Sequence, residues 1–222
     1  DPVEIRRRNL LTADDMPYPR PLPYRDGVPI SYDGGDYREC LEAVLELLPP
    51  TVVDNDLRAA HPDSRLGYGV GCYLEATGRG PYESARIRLT SGGRLEVATG
   101  AASAGQSHET TFAQVAADAL GVDMARVRFE RSDTGHVAHG VGTFASRSAV
   151  LAGSAIRMAA RALLDQARHR AADLLGVETT AVRQVPEGWQ AEGGGVTWSE
   201  LAAAFAPDGT QSAAGPLDVG ED

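Results

Sequence analysis

At 222 residues and 42% hydrophobic, the chain is long enough for one large domain, or one and a half ordinary ones, with a packed core. Its 21 basic and 31 acidic residues give a net charge of -10, which argues against nucleic acid or an anionic membrane as the main partner. Every basic residue is arginine, a side chain that binds phosphate in a bidentate way. The cysteines are Cys40 and Cys72 alone, with no CxxC or His/Cys cluster. No zinc or iron–sulfur site held by this chain alone is therefore expected. The two cysteines read as buried thiols, with a disulfide between them left open. There is no run of roughly 18 apolar residues and no signal peptide, so the expected compartment is the cytoplasm. The chain begins Asp1-Pro2 rather than Met, and is expected to be a piece of something longer.

Pro2 to Leu11 reads as a short helix with Arg6, Arg7 and Arg8 on a solvated face. Met16 to Pro29 is Pro-rich and predicts an extended connector. Helical spacing returns from Asp36 to Leu48 through Tyr37, Leu41, Val44 and Leu45, and Pro49-Pro50 stops it. Thr51 to Ser64 is polar and predicts loop or a short helix. Leu66 to Thr77 reads as a buried strand punctuated by glycine. Ser84 to Thr90 alternates, with Ala85, Ile87 and Leu89 on one face. Ser91-Gly92-Gly93 signals a hairpin, and Leu95, Val97 and Thr99 continue the alternation on the return strand.

A helix follows, marked by Phe112, Val115, Ala116, Ala119 and Leu120 and stopped by Gly121. Ala125 to Arg131 alternates as a strand with Val127 and Phe129 inward, and Ser132 to Val141 is a Gly-containing loop. The longest element is a helix from about Ser148 to Leu175, whose Ala-rich stripe from Ala152 to Leu174 suits close packing. Gly176 ends it. A small hairpin is expected over Thr180 to Val185 and Trp189 to Ala191. Thr197-Trp198-Ser199-Glu200 is a capping box opening a helix to about Phe205. Beyond Pro207 the composition predicts a flexible tail or linker. Hairpins and helices without regular βαβ alternation predict the α+β class: a hairpin-rich sheet with packed helices, one of them long and Ala-rich.

Two stretches carry the chemistry. Gly105-Gln106-Ser107-His108-Glu109-Thr110 and Gly142-Thr143-Phe144-Ala145-Ser146-Arg147-Ser148 are each a polar, small-residue loop running into a helix. Such loops leave backbone N–H groups free at the positive end of a helix dipole, which favours an anion. Either loop alone is equally an ordinary Ser/Thr-rich cap. His108-Glu109 is a poor acid–base pair, since adjacent residues on a helix do not face each other. His136 and His139 lack a third ligand. Gly142 to Ser146 is not a nucleophile elbow. The residues name no catalytic side chain and no metal ligand.

Five motifs in order resemble the molybdenum-binding large subunit of the molybdenum hydroxylases, the family of xanthine dehydrogenase, aldehyde oxidoreductase and aerobic carbon monoxide dehydrogenase. Asp1-Pro2 to Asn9-Leu10 is similar to its DP-x-x-x-R-x-x-N segment, and Tyr32-Asp33-Gly34-Gly35-Asp36-Tyr37 to its YDSGDY element. Gly105 to Thr110 with Phe112-Ala113-Gln114 resembles its GQGHET…AQ loop. Asp133-Thr134 and Gly142 to Ser148 resemble its DT and GTxGSRS elements. Where the family usually has glycine, this chain has Ser107 and Ala145.

The resemblance implies that the two loops hold molybdopterin, often as its cytosine dinucleotide. It makes Gly105, Gln106, Ser107, His108, Thr143, Ser146, Arg147 and Ser148 the candidate cofactor-binding residues. Arg147 could instead pair a structural carboxylate. The family's catalytic Glu lies in a Gly-Val-Gly-Glu segment, and Val219-Gly220-Glu221 does not sit in the matching context. The implied domains are 1–65, the end of a first molybdopterin-binding lobe with its connector; 66–206, the first half of the second lobe; and a tail, 207–222. The implied whole enzyme oxidises an aldehyde, an N-heterocycle or CO with water-derived oxygen. Its partners are the remaining large-subunit lobes and iron–sulfur and FAD subunits or domains, and this piece is inactive alone. The alternative is a non-catalytic structural or assembly module of the same fold that has lost the cofactor.

Overall fold

A computed structural model describes residues 1–24, 27, 29–130, 133–137, 139–205 and 218–221. The chain forms two compact units, Asp1–Leu74 and Glu75–Asp222. The Gly-rich stretch from residue 66 to 74 lies in the first unit.

In the first unit, α1 (Pro2–Asn9) is capped by Asp1, whose carboxylate accepts from Val3 N–H and Glu4 N–H. Helix α2 (Tyr37–Leu47) is capped in the same way by Asp36, which accepts from Glu39 N–H at 2.8 Å. Arg7 ties the two helices with a bidentate pair to Glu42 at 2.5 and 2.9 Å. The Pro-rich connector is more ordered than expected: β1 (Tyr18–Pro23) pairs antiparallel with β2 (Pro29–Tyr32), and Tyr18 stacks on Tyr32. Val52–Leu57 is a π-helical turn leading into a three-residue helix, α3 (Arg58–Ala60). The buried strand expected over Leu66 to Thr77 is absent. Gly67, Gly69 and Gly71 leave that segment without side chains to pack, and it carries no strand pairing. Cys40 and Cys72 are both free and exposed rather than buried, Cys72 because it sits in that same segment.

The second unit is built on a four-stranded sheet in the order β5-β4-β3-β9. Strands β3 (Ala85–Leu89) and β4 (Leu95–Thr99) form the expected hairpin, with Ala85 opposite Thr99. Helix α4 (His108–Leu120) then carries the chain across to β5 (Val127–Phe129), which lies parallel to β4. This βαβ crossover departs from a hairpin-only sheet. Strand β9 (Asp218–Glu221) pairs antiparallel with β3, so part of the expected tail completes the sheet edge. Residues 206–217 of that tail lie outside the described residues.

Helix α5 (Ser148–Leu175) runs 28 residues beside α4. Ala152, Ala155, Ala159, Ala160, Leu163, Ala167 and Ala171 are buried in one core with Ile87, Leu95, Val97, Phe112 and Leu120. The alanine stripe is thus consumed by the domain's own core rather than left as free apolar surface. Each fully buried Ile or Leu there contributes roughly 1.5–3 kcal/mol. Gly121 and Gly176 end the two helices in left-handed conformations, at φ 63° and 65°. A second sheet, β6 (Arg183–Val185), β7 (Gly188–Ala191) and β8 (Gly194–Thr197), leads into α6 (Trp198–Phe205). The capping box forms as read: Thr197 N–H donates to Glu200 at 2.8 Å, and Glu200 N–H to the Thr197 hydroxyl at 3.2 Å. Trp189 and Trp198 meet edge to face beneath this sheet.

Gly188 has φ 155°, and a Cβ there would lie 2.7 Å from Thr197 Cα. Gly188→Ala should therefore destabilise the protein by about 1–3 kcal/mol through overpacking, read as a lower denaturant midpoint at unchanged slope.

Candidate functional site

Because Ala85 pairs with Thr99 and β5 runs parallel to β4, three segments gather at one end of the sheet. They are the chain entering β3 (75–84), the chain leaving β4 (100–107) and the chain that follows β5 up to α5 (133–147). At their meeting point sits a buried ion pair. Arg147 is 1% exposed and Glu83 3% exposed, and their closest approach is 2.8 Å. Arg147 Nε donates to Arg79 O at 2.7 Å, Nη1 to Gly142 O at 2.7 Å, and Nη2 to Tyr82 O. The Glu83 carboxylate also accepts from Gly142 N–H at 3.0 Å and from Val141 N–H at 3.3 Å. The ring of Phe144, half exposed above, lies with its centroid 5.1 Å from the guanidinium carbon.

The first loop approaches α4 through Gly105 at φ 108° and Ser107 at φ 62°. Ser107 occupies the cap position, but its side chain makes no capping hydrogen bond. The first turn closes on the backbone instead, with Thr110 N–H and Thr111 N–H both donating to Ser107 O, at 3.1 and 3.0 Å. In the second loop Gly142 has φ 110°, and Ala145 and Ser146 have φ 49° and 51°. Arg147 holds the cap position of α5, again without a side-chain cap. Among the described residues, Ser107, Ala145 and Ser146 are the non-glycine residues in left-handed conformation. All three lie in these two loops. Ser107 and Ala145 are the two positions where the family usually has glycine. The backbone supplies a reason for that glycine, since a Cβ is disfavoured there.

The eight candidate residues divide into groups. Gly105, Gln106, Ser107 and Ser146 are exposed, and Thr143 and Ser148 are half-buried. The Gln106 side-chain oxygen accepts from Ala104 N–H at 2.5 Å, and the Ser148 hydroxyl donates to Thr143 Oγ1 at 3.1 Å. Ser146 Oγ donates to Glu75 at 3.2 Å. His108 and Arg147 turn inward. The His108 ring is buried, 3.0 Å from Ala101 O and packed on Phe112, so it locks the first loop to α4 from beneath. Arg147 is the structural ion-pair partner, with its donors spent on Glu83 and three carbonyls. Glu83 itself went unread in the sequence, where one acidic residue ahead of a strand looks like any solvated one. The useful signal was Gly100 and Gly140. A Cβ on Gly100 would lie 2.5 Å from both Glu83 Oε1 and Gly140 Cα, which marks a close crossing of the two loops. His136 and His139 form no ligand cluster, and no group of three metal-ligating side chains occurs among the described residues.

Both helices start without a side-chain cap, beside small polar residues at one end of a mixed sheet, and a helix start of that kind favours an anion. The chain belongs to the molybdopterin cofactor-binding domain family, which it matches over residues 53–218. It is 34% identical over 210 residues to the 6-hydroxypseudooxynicotine dehydrogenase complex subunit gamma of Paenarthrobacter nicotinovorans, covering 92% of this chain and 26% of that one. It is 33% identical over 192 residues to the carbon monoxide dehydrogenase large chain of Hydrogenophaga pseudoflava, covering 80% and 23%. Quinoline 2-oxidoreductase from Pseudomonas putida 86 shares the fold at a TM-score of 0.68 and 29% identity, over 100% of this chain and 30% of that one. The chain thus spans about a quarter of the length of the curated relatives it matches.

Two substitutions test the reading of the loops. Arg147→Ala leaves the Glu83 charge buried and unpaired, and should cost about 3–5 kcal/mol in chemical denaturation. Ala145→Gly relieves a left-handed alanine and should gain about 1 kcal/mol, or roughly 2–4 °C in thermal midpoint.

Proposed function

We propose that this chain is the molybdopterin-holding part of a molybdenum hydroxylase that oxidises an aldehyde, an N-heterocycle or CO. The observation that carries the reading is the pair of uncapped helix starts at one end of the sheet, within a chain of the molybdopterin-binding family. The residues present fit the group. A pterin with its phosphate, or the cytosine dinucleotide form, asks for backbone and hydroxyl donors. The two loops offer Gln106, Ser107 and Thr143 with the N–H groups of the α4 start. The space where a Cβ of Gly105 or Gly142 would stand is open. When bound, the cofactor supplies two-electron oxidation with oxygen taken from water. The chain's part is to bind, to orient and to shield.

The remaining lobes of the large subunit, and iron–sulfur and flavin partners, belong to the same proposal. The first unit leaves Leu47 86% and Tyr73 87% exposed, with Val44, Leu48 and Leu74 also open. Such apolar side chains suit an interface better than water. A chain about a quarter as long as its relatives leaves ample protein to cover them.

Ser107→Asp separates ligand binding from folding. A carboxylate at the start of α4 suits the helix dipole, so stability should hold or rise. The same charge repels an anionic ligand and should lower molybdenum and cytosine-nucleotide content of the natively assembled complex about tenfold, a change of about 1.4 kcal/mol. Unchanged occupancy would remove the first loop from the site. A wild-type complex with no molybdenum at all would favour the cofactor-free module.

A further inference from the structure

We propose that Glu83 is the positioning residue of the cofactor cradle, holding the second loop in the binding geometry before any ligand arrives. The proposal rests on the cofactor reading above. Glu83 lies on neither loop, yet it bonds the second and stands beside Gly100, where the chain sets out toward the first. Its carboxylate takes the N–H groups of Val141 and Gly142 and pairs with Arg147, so it fixes the second loop at its start and at its end. On its other side it stands against Gly100, the first residue beyond β4. A Cβ on Gly100 would lie 2.5 Å from Glu83 Oε1, and one on Gly140 would lie 3.0 Å from the same oxygen. The carboxylate therefore sits between the roots of the two arms, with no room for a side chain on either.

Arg147 answers from the other end of the second loop. It grips Arg79 O and Tyr82 O in the segment that carries Glu83, and Gly142 O within the loop. The left-handed Ala145 and Ser146 are caught between these two anchors. A residue that only filled the core would need no hydrogen bonds to two successive loop amides. Those bonds orient the peptide planes from which the second loop's donors project. Removing them should loosen the cradle while the core, formed by α4, α5 and the sheet, stays folded.

The test uses the natively assembled complex that contains this chain, with two variants. Glu83→Asp keeps a charge for Arg147 but withdraws the carboxylate by one methylene from Val141 and Gly142. Glu83→Gln combined with Arg147→Met removes both charges at similar volume, which restores stability if the pair matters only for packing. Three readouts are taken: thermal midpoint, hydrogen exchange of the Val141 and Gly142 amides, and molybdenum and cytosine-nucleotide content after prolonged dialysis. The expected result is a near-normal midpoint in both variants, at least about tenfold faster exchange at the two amides, and about tenfold lower cofactor retention. Wild-type retention in both variants, or unchanged exchange in Glu83→Asp, would overturn the proposal. So would collapse of the fold in Glu83→Asp, since the residue would then act through stability alone. Exchange and midpoint are read on Glu83→Asp, so failure of the double variant to fold does not remove the test. A wild-type complex lacking molybdenum and nucleotide would sink the cofactor reading, while the exchange result would still decide whether Glu83 holds the second loop.

Discussion

The fully buried Glu83–Arg147 pair is the constraint on which the functional end of this domain depends. Two charges withdrawn from water cost several kcal/mol each in desolvation, and their mutual attraction compensates only when the remaining donors and acceptors are also met. Here they are met by the chain itself: three carbonyls receive the guanidinium, and two amides donate to the carboxylate. The pair is a weak source of net stability and a strong source of specificity, because only one arrangement of the three segments satisfies all of its members. Gly100 and Gly140 follow from it, since any side chain at either position would strike the carboxylate or the opposite backbone.

That arrangement also accounts for where backbone strain is found. Left-handed non-glycine residues cost roughly 1–2 kcal/mol each and persist only where the surroundings over-determine them. Ala145 and Ser146 sit just before Arg147, whose guanidinium is held at four points, so the loop has no cheaper path between Gly142 and the helix. Ser107 sits just before His108, whose buried ring is held by Ala101 and Phe112. In both loops the residue after the strained one is an anchor turned inward. The strained residue itself remains at the surface.

The sequence made legible whatever depends on local period. The β3–β4 hairpin, the two glycine helix stops and the capping box at Thr197 all rest on residues within a few positions of one another. The 28-residue helix is equally local in its signal, and its alanine stripe found its neighbour as the spacing implied. What depends on long-range pairing stayed hidden. Glu83 and Arg147 are 64 residues apart, and nothing near either names the other. The strand expected over Leu66 to Thr77 failed for a related reason. Apolar residues alternating with glycine suit a buried strand only if a partner strand is at hand, and the first unit supplies none to that segment. Cys72 followed it into solvent. In the other direction, β1–β2 and β9 form because extended segments met a ladder partner that local composition does not reveal. The candidate loops were visible as loops, but inward and outward side chains within them were not. His108 and Arg147, the two residues with the most chemistry to offer, face the protein.

This inversion changes what kind of recognition the loops can perform. With Arg147 matched by Glu83, and Ser146 engaged with Glu75, the second loop has no surplus positive side chain to offer a phosphate. The favourable field there comes from the start of a long helix and from oriented N–H groups, which act over the first turn and are fixed in direction. A guanidinium on a flexible stem would accept an anion over a range of positions. Peptide donors pinned by a buried ion pair and mounted on a rigid alanine-packed helix accept a ligand at one position only. Under the cofactor reading this is the useful property, since a large cofactor must be held with its reactive end in register with the substrate and not merely retained. Under the same reading the buried charges act on binding indirectly, by fixing the shape of the peptide surface offered to the cofactor.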